Sequence, residues 1–342
     1  MAFRASQGLL LIPDITGYTD FISSVELSHG QHIVSELLQV LLSHNELALK
    51  LSEVEGDALL FYRPGERPAP ERIVAQARLW LERFHDHLNR LREDIYCTCG
   101  ACQNVGNFSL KVVGHFGEIG VHRVGKVQKL VGQDVVLAHR LLKNGVDARD
   151  YLLLTDAVFT SSATGDAPPG FQPHAEYMAV FGMVAARVLD LSEVRRPATP
   201  AAHDTVPELE CHFQADVHVR APMGDVVEAL IRPERWSQWL DGLESLHYDP
   251  SEPLRAGHRH VCVIEGRNVQ QTLEHMDRDA GEVTFTFRMK PPMRLLKRMY
   301  RVVRARQEGD RVRGRHRHRL AASSNSTMTS PIPCWTHCRT TW

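Results

Sequence analysis

The chain opens on an apolar run, Gly8-Leu9-Leu10-Leu11-Ile12, closed by Pro13 and Asp14, which predicts a short buried strand. Over residues 19–50 the spacing becomes helical, with Ile33, Leu37 and Leu41, and Leu38 and Leu42, at i, i+4. Residues 49–54 and 58–62 flank Glu55-Gly56-Asp57 and predict a hairpin. Residues 70–92 predict an amphipathic helix with Ile73, Ala77, Leu81, Phe84 and Leu88 inward. Residues 110–115 and 119–124 predict a strand pair turning at Gly117. A helix over 134–142 ends at Asn144-Gly145, and strands follow at 151–154 and 184–189. Helices interleaved with strands in this way predict an α+β sandwich.

The pattern breaks at residues 195–207, which hold three prolines and no apolar period. The expected organisation is a first domain over 1–193, a linker over 194–208, a second domain over 209–320 and an irregular tail over 321–342. The second domain reads as a strand at 210–219, a short helix at 224–231 behind Pro222, and strands at 257–264, 269–275, 283–289, 299–307 and 311–320. That is a mostly antiparallel curved sheet. The tail carries Ser, Thr, Pro, Cys and Trp without a period and is expected to be poorly ordered.

Composition narrows the function classes. Forty Lys and Arg against 41 Asp and Glu leave a net charge of −1, so a whole-protein basic field for nucleic acid is absent. No apolar run approaches the length of a membrane helix, and the first run is too short for a signal peptide. A cytoplasmic location is expected. Seven cysteines, odd in number and clustered, argue against a secreted disulfide scaffold.

Asp14 ends the first strand and Asp57 sits at the tip of the hairpin. Loops at one sheet edge can bring both carboxylates together as hard ligands for Mg²⁺ or Mn²⁺. An N-cap and a turn residue are the plainer reading.

The flanking residues add a resemblance. Pro13-Asp14-Ile15-Thr16-Gly17-Tyr18-Thr19, Glu53-Val54-Glu55-Gly56-Asp57-Ala58, and Gly132-Gln133-Asp134-Val135-Val136-Leu137-Ala138-His139-Arg140 behind the strand at 110–117 resemble, in order, the motifs of class III nucleotidyl cyclases. With Cys97-Thr98-Cys99-Gly100-Ala101-Cys102 included, the chain resembles an uncharacterised bacterial family, DUF2652. The resemblance implies a cyclase-like, ferredoxin-like sandwich that dimerises. It places Asp14 and Asp57 at the metal-binding positions, and Gly17 and Thr19 beside the nucleotide. Arg140 falls at the catalytic arginine position, and Glu53 and Lys129 at the two base-reading positions. A carboxylate and an ammonium complement guanine; the alternative is that Glu53 and Lys129 bind each other. Two positions depart from the pattern. Val136 stands where the family has its catalytic asparagine, and no phosphate-gripping lysine is found near Gly182-Met183. The loss of two such groups implies weak or absent turnover.

Cys97, Cys99 and Cys102 form a Cys-x-Cys-x-x-Cys loop able to hold Zn²⁺ with a fourth ligand from elsewhere, His85 and His115 being candidates. A loop of thiols without metal is the alternative. Cys211 and Cys262 are expected in the core. His258 and His260, and His316 and His318, share strand faces in Arg-rich surroundings that read as exposed. The positive residues between Arg294 and Arg319 read as a solvated strand face. Val219-Arg220-Ala221-Pro222, with Trp236 and Trp239, resembles the START-like (SRPBCC) superfamily. That resemblance implies a helix-grip fold with a cavity for a hydrophobic molecule or lipid. The long helix closing that fold is not supplied by residues 321–342, which suggests a truncated or frameshifted end. For Trp236 and Trp239, core packing is preferred over ligand contact.

The leading expectation is a divergent, metal-dependent purine-nucleotide-binding domain, weak or inactive as a cyclase, joined to a hydrophobic-ligand module. An active cyclase making cyclic GMP or cyclic AMP, and a scaffold that binds no nucleotide, are the alternatives.

Overall fold

The computed structural model describes residues 5–18, 21, 27–124, 127–159, 167–194, 211–240, 242–264, 266–279, 281–290, 296–308 and 311–322. They divide into two units, residues 1–92 with 104–199 and residues 93–103 with 200–342. The fold is mixed α+β, and no helix among the described residues is long and apolar enough to cross a membrane.

In chain order the elements up to residue 190 are β1 (Ala5–Thr16), α1 (Leu27–Ser43), β2 (Lys50–Glu55), β3 (Ala58–Pro64), α2 (Pro70–Asp94), α3 (Gly100–Asn104), β4 (Ser109–Val124), β5 (Val127–Val131), α4 (Gln133–Arg140), β6 (Tyr151–Thr155), β7 (Gln172–Met178) and β8 (Gly182–Asp190). The first unit's sheet runs β2-β3-β1-β4-β6-β8-β7, with β5 added on β4. Among the described residues, the β4–β6 pair is the parallel one in this sheet. β1 is central, and Leu9, Leu10 and Leu11 are all fully buried, as a continuous apolar run requires. The stripe on α1 (Ile33, Leu37, Leu41) and that on α2 (Ile73, Ala77, Trp80, Leu81, Phe84) are buried. Trp80 binds the helices together by donating Nε1–H to the Leu41 carbonyl at 2.9 Å.

The structure corrects the reading of Gly117. Residues 109–124 form one continuous strand, paired with β1 from Ser109 to Gly120. The glycine makes room for the α4 carboxylate: a Cβ there would collide with Asp134, whose Oδ2 accepts the Glu118 backbone N–H at 2.5 Å. β7 has no counterpart in the sequence reading. Asp150 is a buried polar anchor: its Oδ1 accepts from His85 Nε2 and from the Leu110 backbone N–H, both at 2.9 Å.

The second unit's sheet is antiparallel throughout. Its strands are β9 (Cys211–Val219), then, after α5 (Met223–Ile231), β10 (Leu243–His247), β11 (Arg259–Ile264), β12 (Arg267–Asp279), β13 (Glu282–Met289), β14 (Leu296–Glu308) and β15 (Arg311–Ala322). They run in the order β10-β11-β12-β13-β14-β15-β9. Trp236 and Trp239 are buried in its core and donate to the carbonyls of Leu230 and Ala229, both at 3.0 Å. Cys262 is fully buried, whereas the side chains of Cys211, His316 and His318 lie outside the described residues.

Two expectations are overturned here. His258 and His260 are buried, at 1% and 2% exposure, not exposed. Arg301, within the basic strip, is 4% exposed with its guanidinium over the Phe287 ring at 4.7 Å. The strip alternates: Arg301, Val303 and Ala305 face inward, while Arg304 and Arg306 face out toward Glu282 at 3.2 and 3.9 Å.

Candidate functional site

β1, the β2–β3 hairpin, β4 and α4 surround the carboxylates. Asp14 lies opposite Ala58 on β3 and opposite Lys111 on β4. Gly56, with φ of +63°, turns the hairpin so that Asp57 follows at once. The Asp57 carbonyl accepts the Ile15 backbone N–H at 3.2 Å, which fastens the hairpin tip to the end of β1. Asp14 and Asp57 are thus brought together, and both are partly buried.

The electrostatics follow from this convergence. Burial raises the Asp57 carboxyl, and the neighbouring Asp14 charge raises it further, to about 6; Lys111 opposes both. Burial also raises Asp14, offset by its hydrogen bond to Lys111 and by the lysine's charge. Lys111 Nζ stands 2.8 Å from Asp14 Oδ2 and also donates to the Leu142 carbonyl at 2.9 Å. One ammonium against two partly desolvated carboxylates leaves a net negative site of hard oxygen atoms. That donor set fits a divalent ion of the Mg²⁺ or Mn²⁺ kind.

Lys111 went unremarked in the sequence. A single lysine inside the apolar run Leu110-Lys111-Val112-Val113 was the available signal, because a buried strand keeps a charge only with a partner.

Glu53 and Lys129 bind each other: Nζ to Oε2 is 3.0 Å, with the lysine 61% exposed. Such a surface pair is worth about 0–1 kcal/mol, so a competing hydrogen-bonding ligand can open it. Lys129 also lines a small pocket with Leu51, Ser52, Tyr62, Val121 and Leu130. Beside it, Glu55 Oε2 lies 3.0 Å from His139 Nδ1, tying the hairpin that carries Asp57 to the helix that carries Arg140. Arg140 is exposed, with no acidic side chain at ion-pair distance among the described residues. Gly17 has φ of +95°, and Thr19 lies outside the described residues. Val136 and Met183 are exposed, at 48% and 66%.

The cysteine loop belongs to the second unit. Cys97, Cys99 and Cys102 form no disulfide, and their sulfur atoms lie within 4.8 Å of one another. Hydrogen bonding of the Cys102 thiol with Cys97 and Cys99, together with burial, raises its pKa. The two histidines expected as further zinc donors are engaged within the first unit. His85 binds Asp150, and His115 binds Thr155 Oγ1 at 2.7 Å and lies 3.3 Å from Asp134.

The family DUF2652, a protein family of unknown function, matches residues 34–151. An uncharacterized protein of Mycobacterium tuberculosis is 32% identical over 156 residues, which are 46% of this chain and 60% of the relative. The chain therefore spans about three fifths of the curated relative it matches. Among solved structures, similarity extends to a bacterial light-regulated adenylyl cyclase, at 14% identity and TM-score 0.43 over 57% of each chain. It extends also to adenylyl cyclase CyaB from P. aeruginosa, at 14% identity and TM-score 0.40 over 58% of this chain and 100% of that one. A third is the guanylate cyclase domain of RhGC from Catenaria anguillulae in complex with GTP, at 13% identity and TM-score 0.40 over 54% and 97%. At these scores the chemistry rests on the residues of this chain.

Proposed function

We propose that the first unit binds a purine nucleoside triphosphate through a divalent cation, as a divergent cyclase-like domain whose turnover is weak or lost. The observation that carries this reading is the convergence of Asp14 and Asp57, desolvated and mutually repelling, with Lys111 2.8 Å from Asp14. Asp14 and Asp57 would hold Mg²⁺ or Mn²⁺, and the ion would supply the positive charge that triphosphate oxygens require. Glu53 and Lys129 would exchange their mutual bond for the edge of a purine. A carboxylate accepting two N–H groups, with an ammonium donating to a carbonyl oxygen, favours guanine over adenine. Arg140, exposed at the end of α4, is available to phosphate.

Weak turnover follows from what surrounds these groups. Val136 offers no hydrogen bond to a ribose, and Met183 brings no charge to a phosphate. Each missing contact is worth about 2.7–4 kcal/mol of transition-state stabilisation, less in combination because the two would act on one transition state. Binding suffers less, since the carboxylates remain. In the same reading two copies associate through this unit, and the second unit takes up a hydrophobic small molecule.

A specific observation favours a second reading, a scaffold that binds no nucleotide. Asp14 is already paired with Lys111, and Glu53 with Lys129, so two of the carboxylates that the nucleotide reading uses are engaged within the chain.

Cyclic-nucleotide production with Mn²⁺ and GTP or ATP, measured for the wild type, Val136→Asn and Val136→Asn/Met183→Lys, tests the reading. Near-background wild-type turnover that rises in the variants supports it. Robust wild-type turnover shows that other residues have replaced the missing pair.

A further inference from the structure

The segment between α2 and β4 joins the second unit before it reaches its cysteines. Ile95 bridges Arg255 in antiparallel fashion, the Tyr96 N–H donates to the Leu254 carbonyl at 2.8 Å, and the Ala256 N–H donates to the Asp94 carbonyl at 3.0 Å. Tyr96 is part of the second unit's core. At Cys97 the chain leaves this pairing and turns at once into the single turn of α3.

Gln103 closes that turn twice. Its backbone N–H donates to the Cys99 carbonyl at 3.1 Å, and its side-chain Nε2 donates to the Cys97 carbonyl at 3.2 Å. The result is a tight fold in which three sulfur atoms from six residues gather in one place. Cys99 and Cys102 are 7% and 5% exposed, while Cys97 stands at the rim.

Neutral thiols are weak hydrogen-bonding groups, and burying two of them beside a third gains little. A soft divalent ion changes that balance, because thiolates bind it directly. In a tetrahedral zinc site with Zn–S of about 2.3 Å, sulfur atoms are about 3.8 Å apart. Separations within 4.8 Å need only small side-chain adjustments to reach this geometry.

We propose that Cys97, Cys99 and Cys102 bind one zinc ion as thiolates, in three positions of a tetrahedral site, and that the ion holds the turn over residues 97–103 closed. The site is independent of the nucleotide reading, since Mg²⁺ and Mn²⁺ prefer oxygen ligands.

The test uses the full chain purified without chelator. Metal analysis should give about one zinc per chain, and Cys99→Ser/Cys102→Ser should lose at least nine tenths of it. Replacement by Co²⁺ in the wild type should produce sulfur-to-cobalt charge-transfer absorption of three-thiolate intensity. Zinc removal should speed amide exchange at Gln103, whose N–H closes the cysteine turn on the Cys99 carbonyl, at least tenfold. A zinc-free wild type without such bands on Co²⁺ addition, or undiminished zinc in the double variant, would overturn the proposal. So would oxidation of two of these thiols to a disulfide in the purified protein. The cobalt spectrum of the wild type decides the matter even if the double variant fails to fold.

Discussion

Lys111 Nζ lies 2.8 Å from Asp14 Oδ2, across the β1–β4 pair in which the two residues are direct partners. The ammonium stands beside one of two carboxylates that together suit a divalent cation. In the proposed function the two cations compete for Asp14, and the lysine swings toward phosphate or solvent when the metal binds.

Lys111→Met should therefore tighten Mn²⁺ binding in the absence of nucleotide by about three- to tenfold, because a competing charge is removed. Isothermal titration of both proteins with Mn²⁺ reads this directly. Weaker binding in the variant would instead make the lysine a partner of the metal site.

Asp150 accepts from His85 and from the Leu110 N–H inside the first unit, and all three groups are buried. Asp150→Ala strands an imidazole and a backbone donor together. The expected loss is about 3–5 kcal/mol, read as a lower denaturant midpoint at unchanged slope. A loss below about 1 kcal/mol would mean that water satisfies both donors.

His260 supplies the pH dependence. Its ring sits against Trp236 at 4.6 Å, and its two ring nitrogens have no hydrogen-bond partner among the described residues. Burial, reinforced by the positive charge of Arg301 and by His258, lowers its pKa to about 3. In the unfolded chain the imidazole takes its proton near the ordinary value of about 6.5. Between these values the unfolded state binds more protons. The contribution is therefore complete above about 6.5 and is lost as pH falls toward about 3, by about 1.4 kcal/mol per unit. Denaturation of the wild type and of His260→Leu from pH 7 to pH 4 should show the wild type losing stability relative to the variant. Parallel profiles would show that the buried imidazole takes up its proton at the same pH in the folded and unfolded chain.

The parts of the fold legible in the sequence were those fixed by neighbours along the chain. The β2–β3 hairpin follows from two apolar runs around Glu55-Gly56-Asp57, and α2 from an unbroken 3.6-residue period. What was missed depends on distant partners. Gly117 reads locally as a turn, and the reason it continues a strand is the Asp134 carboxylate. His258 and His260 looked exposed beside arginines, yet Arg301 itself turns inward onto Phe287. The DUF2652 family matches residues 34–151, which include the hairpin at 50–64, the cysteine loop and the helix that ends at Arg140. Lys111 stands out as a lone charge in an apolar run, but only strand pairing sets it opposite Asp14.

The most direct test of the central claim is calorimetric titration of the full chain with a hydrolysis-resistant GTP analogue in saturating Mn²⁺, beside the same titration of Asp14→Asn and Asp57→Asn. The wild type should bind with measurable heat, and more tightly than it binds the matching ATP analogue. Either variant should lose at least tenfold in affinity while keeping its melting temperature. Wild-type affinity in folded Asp14→Asn, or no binding of either analogue to the wild type, would contradict a metal–triphosphate site at these two aspartates.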